Sequence, residues 1–255
     1  MKTVIITGAS SGIGKEFVRQ LQNNPEYERI WIIARTKEKL LELEYKYGEK
    51  IVPIALDITD KQDVEKYKQL LNKEKPDVRL LVNNAGFGKF GSHEQIPIQE
   101  STKMIDLNCK AVVEFSELTL PFMNSGAKIL QVASIAAFQP LPYINVYGAT
   151  KAFVLNYAIG LDKELSHRNI RVYALCPGWT KTNFFAVAKT NPNDVKTFGV
   201  WFTPEQIVSY ALKKINKTKK VILIPSLYNK IQCTLTKFVS RNFITKVWLK
   251  IQNKK

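Results

Sequence analysis

Apolar residues along the chain form short β-type runs, which alternate with longer segments of helical periodicity. Strands are predicted at 4–7, 30–34, 51–56, 80–83, 128–133, 170–175 and 221–224. Helices are predicted at 14–22, 37–47, 61–72, 101–123, 146–166 and 204–214. The strand runs are mostly apolar on both alternating sets of positions, so we expect helices to cover both faces of a parallel sheet. The strict alternation predicts a doubly wound α/β fold.

The segment after the last predicted strand has a different pattern. It predicts two short amphipathic helices with a break near 240–242. Their apolar faces are Leu227, Ile231, Leu235, Phe238 and Val239 in the first, and Phe243, Ile244, Val247, Trp248 and Ile251 in the second. We therefore divide the chain into a dinucleotide-binding and catalytic domain, 1–225, and a helical extension, 226–255. The extension could lie on an anionic membrane, cap a pocket or join a dimer interface.

Charge is concentrated towards the C-terminus of this 255-residue chain, whose formal net charge is +16. No Asp or Glu follows Glu205, and the same stretch contains twelve basic residues: Lys213, Lys214, Lys217, Lys219, Lys220, Lys230, Lys237, Arg241, Lys246, Lys250, Lys254 and Lys255. An anionic lipid surface is one candidate partner. Nucleic acid is not expected, because the tail has no recognised binding motif and charge alone gives only nonspecific affinity.

The cysteines and the hydropathy bear on compartment and on metal binding. Cys109, Cys176 and Cys233 are widely spaced, and no two form a Cys-x-x-Cys pair. This argues against a disulfide framework and for a reducing compartment. No apolar run is long enough to span a bilayer, and glycine-rich sequence follows the first strand at once, so a cytoplasmic protein is expected. With only two histidines, no metal site is expected.

A glycine-rich turn follows the first strand directly and opens the first helix. It reads Thr7-Gly8-Ala9-Ser10-Ser11-Gly12-Ile13-Gly14. Glycines allow the backbone to approach a pyrophosphate closely, and the helix N-terminus offers free N–H groups. After the second strand, Arg35 stands where an acidic residue would bind a free 2′-hydroxyl. A guanidinium suits a 2′-phosphate instead, so the pattern predicts NADPH/NADP+ rather than NADH.

Three polar residues in the second half of the chain suggest carbonyl chemistry. Ser134 follows a predicted strand, and Tyr147 and Lys151 lie four residues apart, on one face of a predicted helix. Hydride transfer to a ketone creates an alkoxide that needs a proton donor. A positive charge about 5 Å from a phenol would lower its pKa by roughly two units at an effective dielectric of about 20. We therefore expect Lys151 to lower the pKa of Tyr147.

Taken together, these motifs resemble the short-chain dehydrogenase/reductase family over about the first nine-tenths of the chain. They are the glycine turn, Asn83-Asn84-Ala85-Gly86, Asn108, Ser134, Tyr147 with Lys151, and Pro177-Gly178. The resemblance implies a Rossmann-type fold and a ketone/secondary-alcohol oxidoreductase that forms a homodimer or homotetramer through helices 101–123 and 146–166. There are two alternatives: an NADPH-binding regulator without activity, although Tyr147 and Lys151 are both present, and a basic nucleic-acid-binding protein.

The resemblance also implies roles for individual residues. Tyr147 would be the general acid/base, Ser134 would hold the substrate oxygen, and Asn108 would fix a water in the proton relay. Lys151 would lower the pKa of Tyr147 and bind the ribose. The implied cofactor-binding residues are Gly8, Ser10, Ser11, Gly12, Ile13, Gly14, Arg35, Asp57, Ile58, Asn84, Ala85, Gly86, Tyr147, Lys151, Pro177, Gly178, Thr180 and Thr182.

Aromatic residues near these motifs predict an apolar substrate pocket under a lid. The segment between Gly178 and Pro204 lacks strong periodicity, as active-site lids often do. The aromatic residues considered are Phe87, Phe90, Phe138, Tyr143, Trp179, Phe184, Phe185, Phe198, Trp201 and Phe202. About half of them are expected to be core. A lipophilic carbonyl such as a steroid or a 3-oxoacyl compound would suit such a pocket.

Overall fold

A seven-stranded parallel sheet forms the centre of the computed structural model, which describes residues 1–188, 195–197 and 199–254. The strand order is β3-β2-β1-β4-β5-β6-β9. These strands are β1 (Lys2–Thr7), β2 (Arg29–Ala34), β3 (Ile51–Ala55), β4 (Asp77–Asn83), β5 (Lys128–Val132), β6 (Arg171–Leu175) and β9 (Ile222–Leu223). A separate two-stranded ladder pairs β7 (Trp179–Thr180) with β8 (Trp201–Phe202). The predicted Rossmann-type fold is confirmed.

Helices cover both faces of the sheet and bury one apolar core on each side. They are α1 (Gly12–Leu21), α2 (Lys37–Tyr47), α3 (Lys61–Glu74), α4 (Ile98–Ile105), α5 (Ala111–Thr119), α6 (Asn145–Glu164), α7 (Phe184–Ala188), α8 (Pro204–Ile215), α9 (Leu227–Leu235) and α10 (Arg241–Gln252). Alternate strand residues face opposite cores. Ile5 packs on one side with Phe115, and Ile6 packs on the other with Phe17. This explains why apolar residues occur at both odd and even positions of the strands.

The helix predicted at 101–123 is not one continuous α-helix. It begins earlier as α4, passes through a π-helical segment (Asp106–Lys110), and continues as α5 before a short 3₁₀ turn. Pro121 within that turn cannot donate a backbone hydrogen bond, which helps to end the α-helix near Thr119. Because the π-helical segment carries Asn108, it affects where that side chain points.

The strand order reverses between β1 and β4, which are neighbours at the centre of the sheet. Chain crossovers leave these two strands in opposite directions, so a crevice opens beyond their carboxyl ends. The glycine turn follows β1, and Asn84 follows β4. The topology therefore brings together two motifs that lie about 75 residues apart.

The C-terminal segment forms the two predicted helices, α9 and α10. Each has a serine N-cap, because Ser226 accepts a hydrogen bond from Asn229 N and Ser240 accepts one from Phe243 N. Trp248, which the helical pattern places on the apolar face of the second helix, is buried against the protein. In the described ranges, no helix combines the length and apolarity needed to cross a bilayer.

Candidate active site

A cavity of about 680 Å³ lies at the carboxyl ends of the central strands. With two exceptions, Gly14 and Asn108, the predicted cofactor and catalytic residues all line it. One end is bounded by the turn after β1, and the other by Ser134, Tyr147 and aromatic side chains. The structure thus brings the two groups of sequence motifs into one site.

The turn between β1 and α1 requires glycine at specific positions. Gly8 has φ +66° and Gly12 has φ +52°, a backbone region that side chains disfavour. A Cβ on Gly8 would lie 2.8 Å from Ala85 Cα, and one on Gly14 would collide with the Gly8 carbonyl oxygen. One side of the turn is therefore packed closely against Ala85 and its own backbone. The other side, with the first residues of α1, lines the cavity. This cradle fits a pyrophosphate group.

Hydrogen bonds from the end of β4 hold this turn in place. Thr7 Oγ1 accepts hydrogen bonds from the backbone N–H groups of Asn84 and Ala85, both at 3.1 Å. The Asn84 amide donates to the carbonyl oxygens of Thr7 and Gly8 at 3.0 and 3.1 Å. Nearby, buried Asn83 donates to Ser116 Oγ at 3.0 Å. The Asn-Asn-Ala-Gly motif therefore joins the ends of two strands and aligns the edge of the cavity.

Arg35 stands at the rim of the cavity, beyond the end of β2. Its side chain is 78% exposed, and its Nη1 lies 4.0 Å from Asp57 Oδ2. An exposed ion pair at that distance holds the guanidinium weakly. Asp57 Oδ1 also accepts hydrogen bonds from the backbone and hydroxyl of Thr59. Arg35 is thus free to turn towards a phosphate, whereas Asp57 is fixed by its own loop.

Tyr147, Ser134 and Lys151 meet at the inner end of the cavity. Lys151 is buried and donates from Nζ to the Val132 carbonyl oxygen at 2.8 Å. Its Nζ lies 5.7 Å from the centre of the Tyr147 ring. Ser134 follows β5, and its hydroxyl caps the 3₁₀ turn Ile135–Phe138 by accepting from Ala136 N. The α6 helix thus presents Tyr147 and Lys151 towards the end of β5.

The pKa values of the two α6 residues are governed by burial. Among the protein's own groups, burial raises the pKa of Tyr147 to about 12, and the hydrogen bond with Ser134 opposes that rise. Burial lowers the pKa of Lys151 to about 8 because it disfavours the charged form. The net direction for the polypeptide is therefore upward, and the expected lowering of the Tyr147 pKa by Lys151 stays a prediction. At neutral pH the phenol is protonated and can donate a proton.

Asn108 lies beside the cavity rather than in its wall. Its Nδ2 donates to the Phe87 carbonyl oxygen at 2.8 Å and to Thr150 Oγ1 at 3.0 Å. Its Oδ1 accepts from Phe87 N at 3.1 Å. The side chain therefore ties the segment after β4 to α6. Both amide hydrogens are bound to protein atoms, so the side chain links two segments of the site. The water-fixing role that the family resemblance implies for Asn108 stays a prediction.

Aromatic side chains form the wall around Tyr147. The ring centres of Phe184 and Tyr147 are 5.3 Å apart, and Phe184 also meets Phe90 edge to face. Of the aromatic residues named from the sequence, five line the cavity: Phe87, Phe90, Trp179, Phe184 and Phe185. Four others do not line it: Phe138, Tyr143, Trp201 and Phe202. Phe198 lies outside the described residues.

The C-terminal helices contribute pocket residues that sequence reasoning did not assign. These are Tyr228, Asn229, Gln232 and Trp248. Trp248 packs in one apolar cluster with Leu141 and Ile144 from the segment before α6. Trp248 Nε1 donates to the Pro142 carbonyl oxygen at 2.9 Å, and Gln252 makes two hydrogen bonds with the backbone of Lys196. The apolar helical pattern predicted that these helices pack somewhere, but it did not identify the surface.

The segment after β6 closes the remaining side of the cavity. Thr180 Oγ1 donates to the Gly178 carbonyl oxygen at 3.0 Å, and Thr182 Oγ1 accepts from Phe184 N at 3.2 Å. A Cβ on Gly12 would lie 3.2 Å from the Thr182 side chain. This segment therefore runs from the catalytic end of the cavity to the glycine turn.

Comparisons with known proteins agree with this arrangement. A curated NADP-dependent 3-hydroxy acid dehydrogenase from Schizosaccharomyces pombe is 30% identical over 237 residues, 89% of this chain and 91% of that protein. A solved short-chain dehydrogenase from Sphingobium yanoikuyae in complex with NADPH has a TM-score of 0.77 at 25% identity, covering 94% of this chain and 97% of that one. The bulky-bulky ketone specific alcohol dehydrogenase from Comamonas testosteroni has a TM-score of 0.74 at 26% identity, with 93% of both chains covered.

The family model described as short chain dehydrogenase matches residues 2–193. The match includes the glycine turn, the segment after β4, Ser134, and Tyr147 with Lys151. These are the residues that the fold places around one cavity. The chain therefore belongs to the short-chain dehydrogenase family.

Proposed function

We propose that this protein is an NADPH-dependent oxidoreductase that reduces a lipophilic ketone to a secondary alcohol. The observation that carries the proposal is the position of Tyr147, which stands between a dinucleotide cradle and an apolar, aromatic pocket. The phenol meets Ser134 on one side and Phe184 on the other. A ketone whose oxygen lies between Tyr147 and Ser134 would place its substituents against the aromatic wall.

NADPH/NADP+ is the cofactor of this site. The glycine turn would hold the pyrophosphate, and Arg35 would pair with the 2′-phosphate through charge-assisted hydrogen bonds. Asp57 and Ile58 line the neighbouring part of the cavity, where the adenine would lie. Gly86, Pro177 and Gly178 line the part nearer to Tyr147. The family relatives whose names include NADP or NADPH support this choice.

When bound at this site, the dinucleotide would supply a hydride to the carbonyl carbon. The Tyr147 phenol then gives its proton to the carbonyl oxygen, where negative charge develops, and Ser134 donates a hydrogen bond to the same oxygen. Lys151, charged below about pH 8, stabilises the phenolate that remains and would bind the ribose hydroxyls. Asn108 acts as a positioning residue, because it holds the Phe87 backbone against α6.

The pocket favours an apolar substrate over a small polar one. Phe90, Phe184, Phe185 and Trp248 supply aromatic surface, while Leu141 and Ile144 supply aliphatic surface. Burying such surface against a steroid, an aryl ketone or a fatty 3-oxoacyl chain gives roughly 25 cal/mol for each Å² removed from water. The likeness to a bulky-bulky ketone specific alcohol dehydrogenase supports the same substrate class.

Oxidation of a 3-hydroxy acid is the second candidate reaction. It is favoured by the relative from Schizosaccharomyces pombe and by Lys89, a cation in the cavity wall. Lys89 Nζ donates to the Val187 carbonyl oxygen at 3.0 Å and lies 3.8 Å from Glu100 Oε2. A substrate carboxylate would have to compete with Glu100 for this cation. Glu100 and the aromatic wall of the cavity therefore favour reduction of a lipophilic ketone over oxidation of a 3-hydroxy acid.

Oxidation of NADPH, followed at 340 nm with a panel of carbonyl compounds, tests the proposal. The panel contains aryl ketones, 3-oxosteroids, 3-oxoacyl thioesters and short 3-oxo acids. We expect kcat/KM to increase with apolar substituent size. Preference for a short 3-oxo acid, lost in Lys89→Met, would support the second candidate. Binding of NADPH without turnover of any member would support a regulatory protein.

A homo-oligomer is proposed as the assembly. The helices α4 and α6 expose four large apolar side chains to solvent: Ile98, Ile105, Phe153 and Ile159. Phe153 and Tyr157 also stack on each other along α6. Pairing these helices with those of a second copy would remove that surface from water.

A further inference from the structure

The C-terminal helices expose an unusual amount of apolar surface. Among the described residues, seventeen large hydrophobic side chains are exposed, and eight of them lie in the short stretch from Leu227 to Ile251. On α9 the exposed stripe is Leu227, Ile231 and Leu235, spaced by four residues; on α10 it is Phe243, Val247 and Ile251, with the same spacing. Phe238, between the helices, is 81% exposed.

The same helices are anchored to the protein by buried side chains on another face. Asn229 and Cys233 are buried under α9, while Trp248 and Gln252 are buried under α10. The hydrogen bonds of Trp248 and Gln252 to the protein backbone fix the orientation of α10. A small rotation of either helix would therefore not bury the exposed apolar stripes without breaking these contacts. The stripes are held outward by side chains that line or support the substrate cavity.

Positive charge accompanies the apolar stripes. Lys230, Lys237, Arg241, Lys246 and Lys250 are all exposed, and no acidic residue occurs in the chain after Glu205. If two copies met through this surface around a two-fold axis, these cations would face one another with no acid from the segment to pair them. A partner carrying negative charge and an apolar interior satisfies both features at once. An anionic lipid bilayer has that chemistry.

We propose that α9, Phe238 and α10 form a docking surface for an anionic membrane. The apolar stripes enter the interfacial region of the leaflet while the lysines contact its headgroups. Each lysine near an anionic leaflet strengthens binding by about fivefold. Since Tyr228, Gln232 and Trp248 on these helices also line the cavity, docking brings the substrate pocket close to the lipid surface. A lipophilic ketone dissolved in the bilayer would then have a short path to Tyr147.

Vesicle co-sedimentation of the full-length protein with NADPH tests this proposal. Vesicles of phosphatidylcholine with 30% phosphatidylglycerol are compared with vesicles of phosphatidylcholine alone. We expect binding to the anionic vesicles that weakens at least tenfold in 0.5 M salt. Leu235→Asp with Phe238→Asp should reduce binding at least tenfold, because neither side chain lines the cavity and both are exposed. Tyr45→Asp, at a 94% exposed residue on α2, is the matched control and should bind normally.

A charge-reversal pair distinguishes the lysines of this surface from net charge. Lys237→Glu with Lys246→Glu should lose binding, whereas Lys46→Glu with Lys73→Glu, which changes net charge equally on α2 and α3, should retain most of it. Reduction of a water-soluble ketone without vesicles should be unchanged in all four variants. Failure of the proposed reaction would therefore not be mistaken for failure of docking.

Three results would overturn the membrane proposal. The first is no binding of the unmodified protein to anionic vesicles at low salt. The second is retained binding in the Leu235/Phe238 variant, which would assign the surface to polyanions such as nucleic acid. The third is a smaller oligomer of that variant in light scattering, which would assign the surface to contact between copies.

A separate observation concerns Asn229, whose buried amide points to a role inside the cavity. The residue is 3% exposed, and its Nδ2 has no hydrogen-bond partner among the described residues. A Cβ on Gly178 would lie 2.5 Å from this Nδ2, so the amide packs directly on the segment that lines the catalytic end of the cavity. An unpaired buried donor is costly, so an acceptor is expected when the site is filled.

We infer that the Asn229 amide donates to an acceptor oxygen at the reacting end of the bound pair. That oxygen belongs either to the nicotinamide carboxamide or to the substrate. The inference rests on the proposed dinucleotide site. Asn229→Leu should weaken NADPH binding, measured by fluorescence, by about tenfold in the first case. In the second case it should raise KM for the ketone by a similar factor while NADPH affinity stays unchanged.

Asn156→Leu, an exposed amide on α6, is the control for loss of an amide in general. If Asn229→Leu does not fold, Asn229→Asp keeps the shape and removes the donor, so it is measured in the same way. A lower melting temperature with unchanged NADPH affinity and unchanged KM would show a structural role and overturn the inference. Failure of the unmodified protein to bind NADPH would refute the dinucleotide site itself.

Discussion

Tyr147→Phe removes the proposed proton donor and little else. The ring remains between Phe184 and the Lys151 side of α6, and one hydroxyl is lost. A neutral hydrogen bond contributes about 0.5–1.5 kcal/mol, so loss of the contact with Ser134 alone would change binding by roughly 2- to 12-fold. Loss of general acid catalysis costs roughly 10²- to 10⁴-fold in rate. The two explanations predict separate ranges for the change in kcat.

Steady-state NADPH oxidation with the best ketone of the panel measures this difference. We expect kcat to fall at least a hundredfold while the dissociation constant for NADPH changes less than threefold. Tyr157→Phe is the matched control, because it removes a phenol hydroxyl from the same helix, where it donates to Glu117 at 3.1 Å. Retention of more than a tenth of kcat in Tyr147→Phe, with normal NADPH binding, would refute the assignment of Tyr147 as the acid.

Three further predictions concern the cofactor, the pH dependence and the assembly. Arg35→Asp should weaken NADPH binding at least tenfold and leave NADH binding nearly unchanged, because only the 2′-phosphate is lost as a partner; equal affinities for both cofactors in the unmodified protein would contradict this. Ketone reduction should fall as pH rises through about 8, because Lys151 is charged below that value and neutral above it. Tyr147, with a pKa of about 12, stays protonated across this range. A pH profile of kcat/KM that is flat from 6 to 10 would be inconsistent with a role for the Lys151 charge. Phe153→Asp with Ile105→Asp should reduce the oligomer to a monomer in light scattering, and a monomeric unmodified protein would refute the proposed interface.

Much of the fold is determined by the order of apolar runs and turns. The β/α alternation predicted the parallel sheet because a strand buried on both faces is apolar at nearly all of its positions. The predicted helix at 37–47 agrees with α2 (Lys37–Tyr47), which a glycine at position 48 ends. The site motifs were readable because the backbone imposes residue types locally. Glycine is required at positions 8 and 12 by positive φ, and Tyr147 and Lys151 share a helix face by their spacing.

Other features depend on contacts between distant segments, which no local pattern contains. The pKa of Tyr147 is raised because the folded chain buries it, while the sequence suggested only the nearby charge of Lys151. The position of Asn108 depends on two hydrogen bonds, to Phe87 and Thr150, that join segments far apart in the sequence. The helical period of the last thirty residues identified the apolar faces, but tertiary packing decided that Trp248 turns inward while Val247 stays exposed. Periodicity specifies which residues share a face, and only the completed core determines which face meets water.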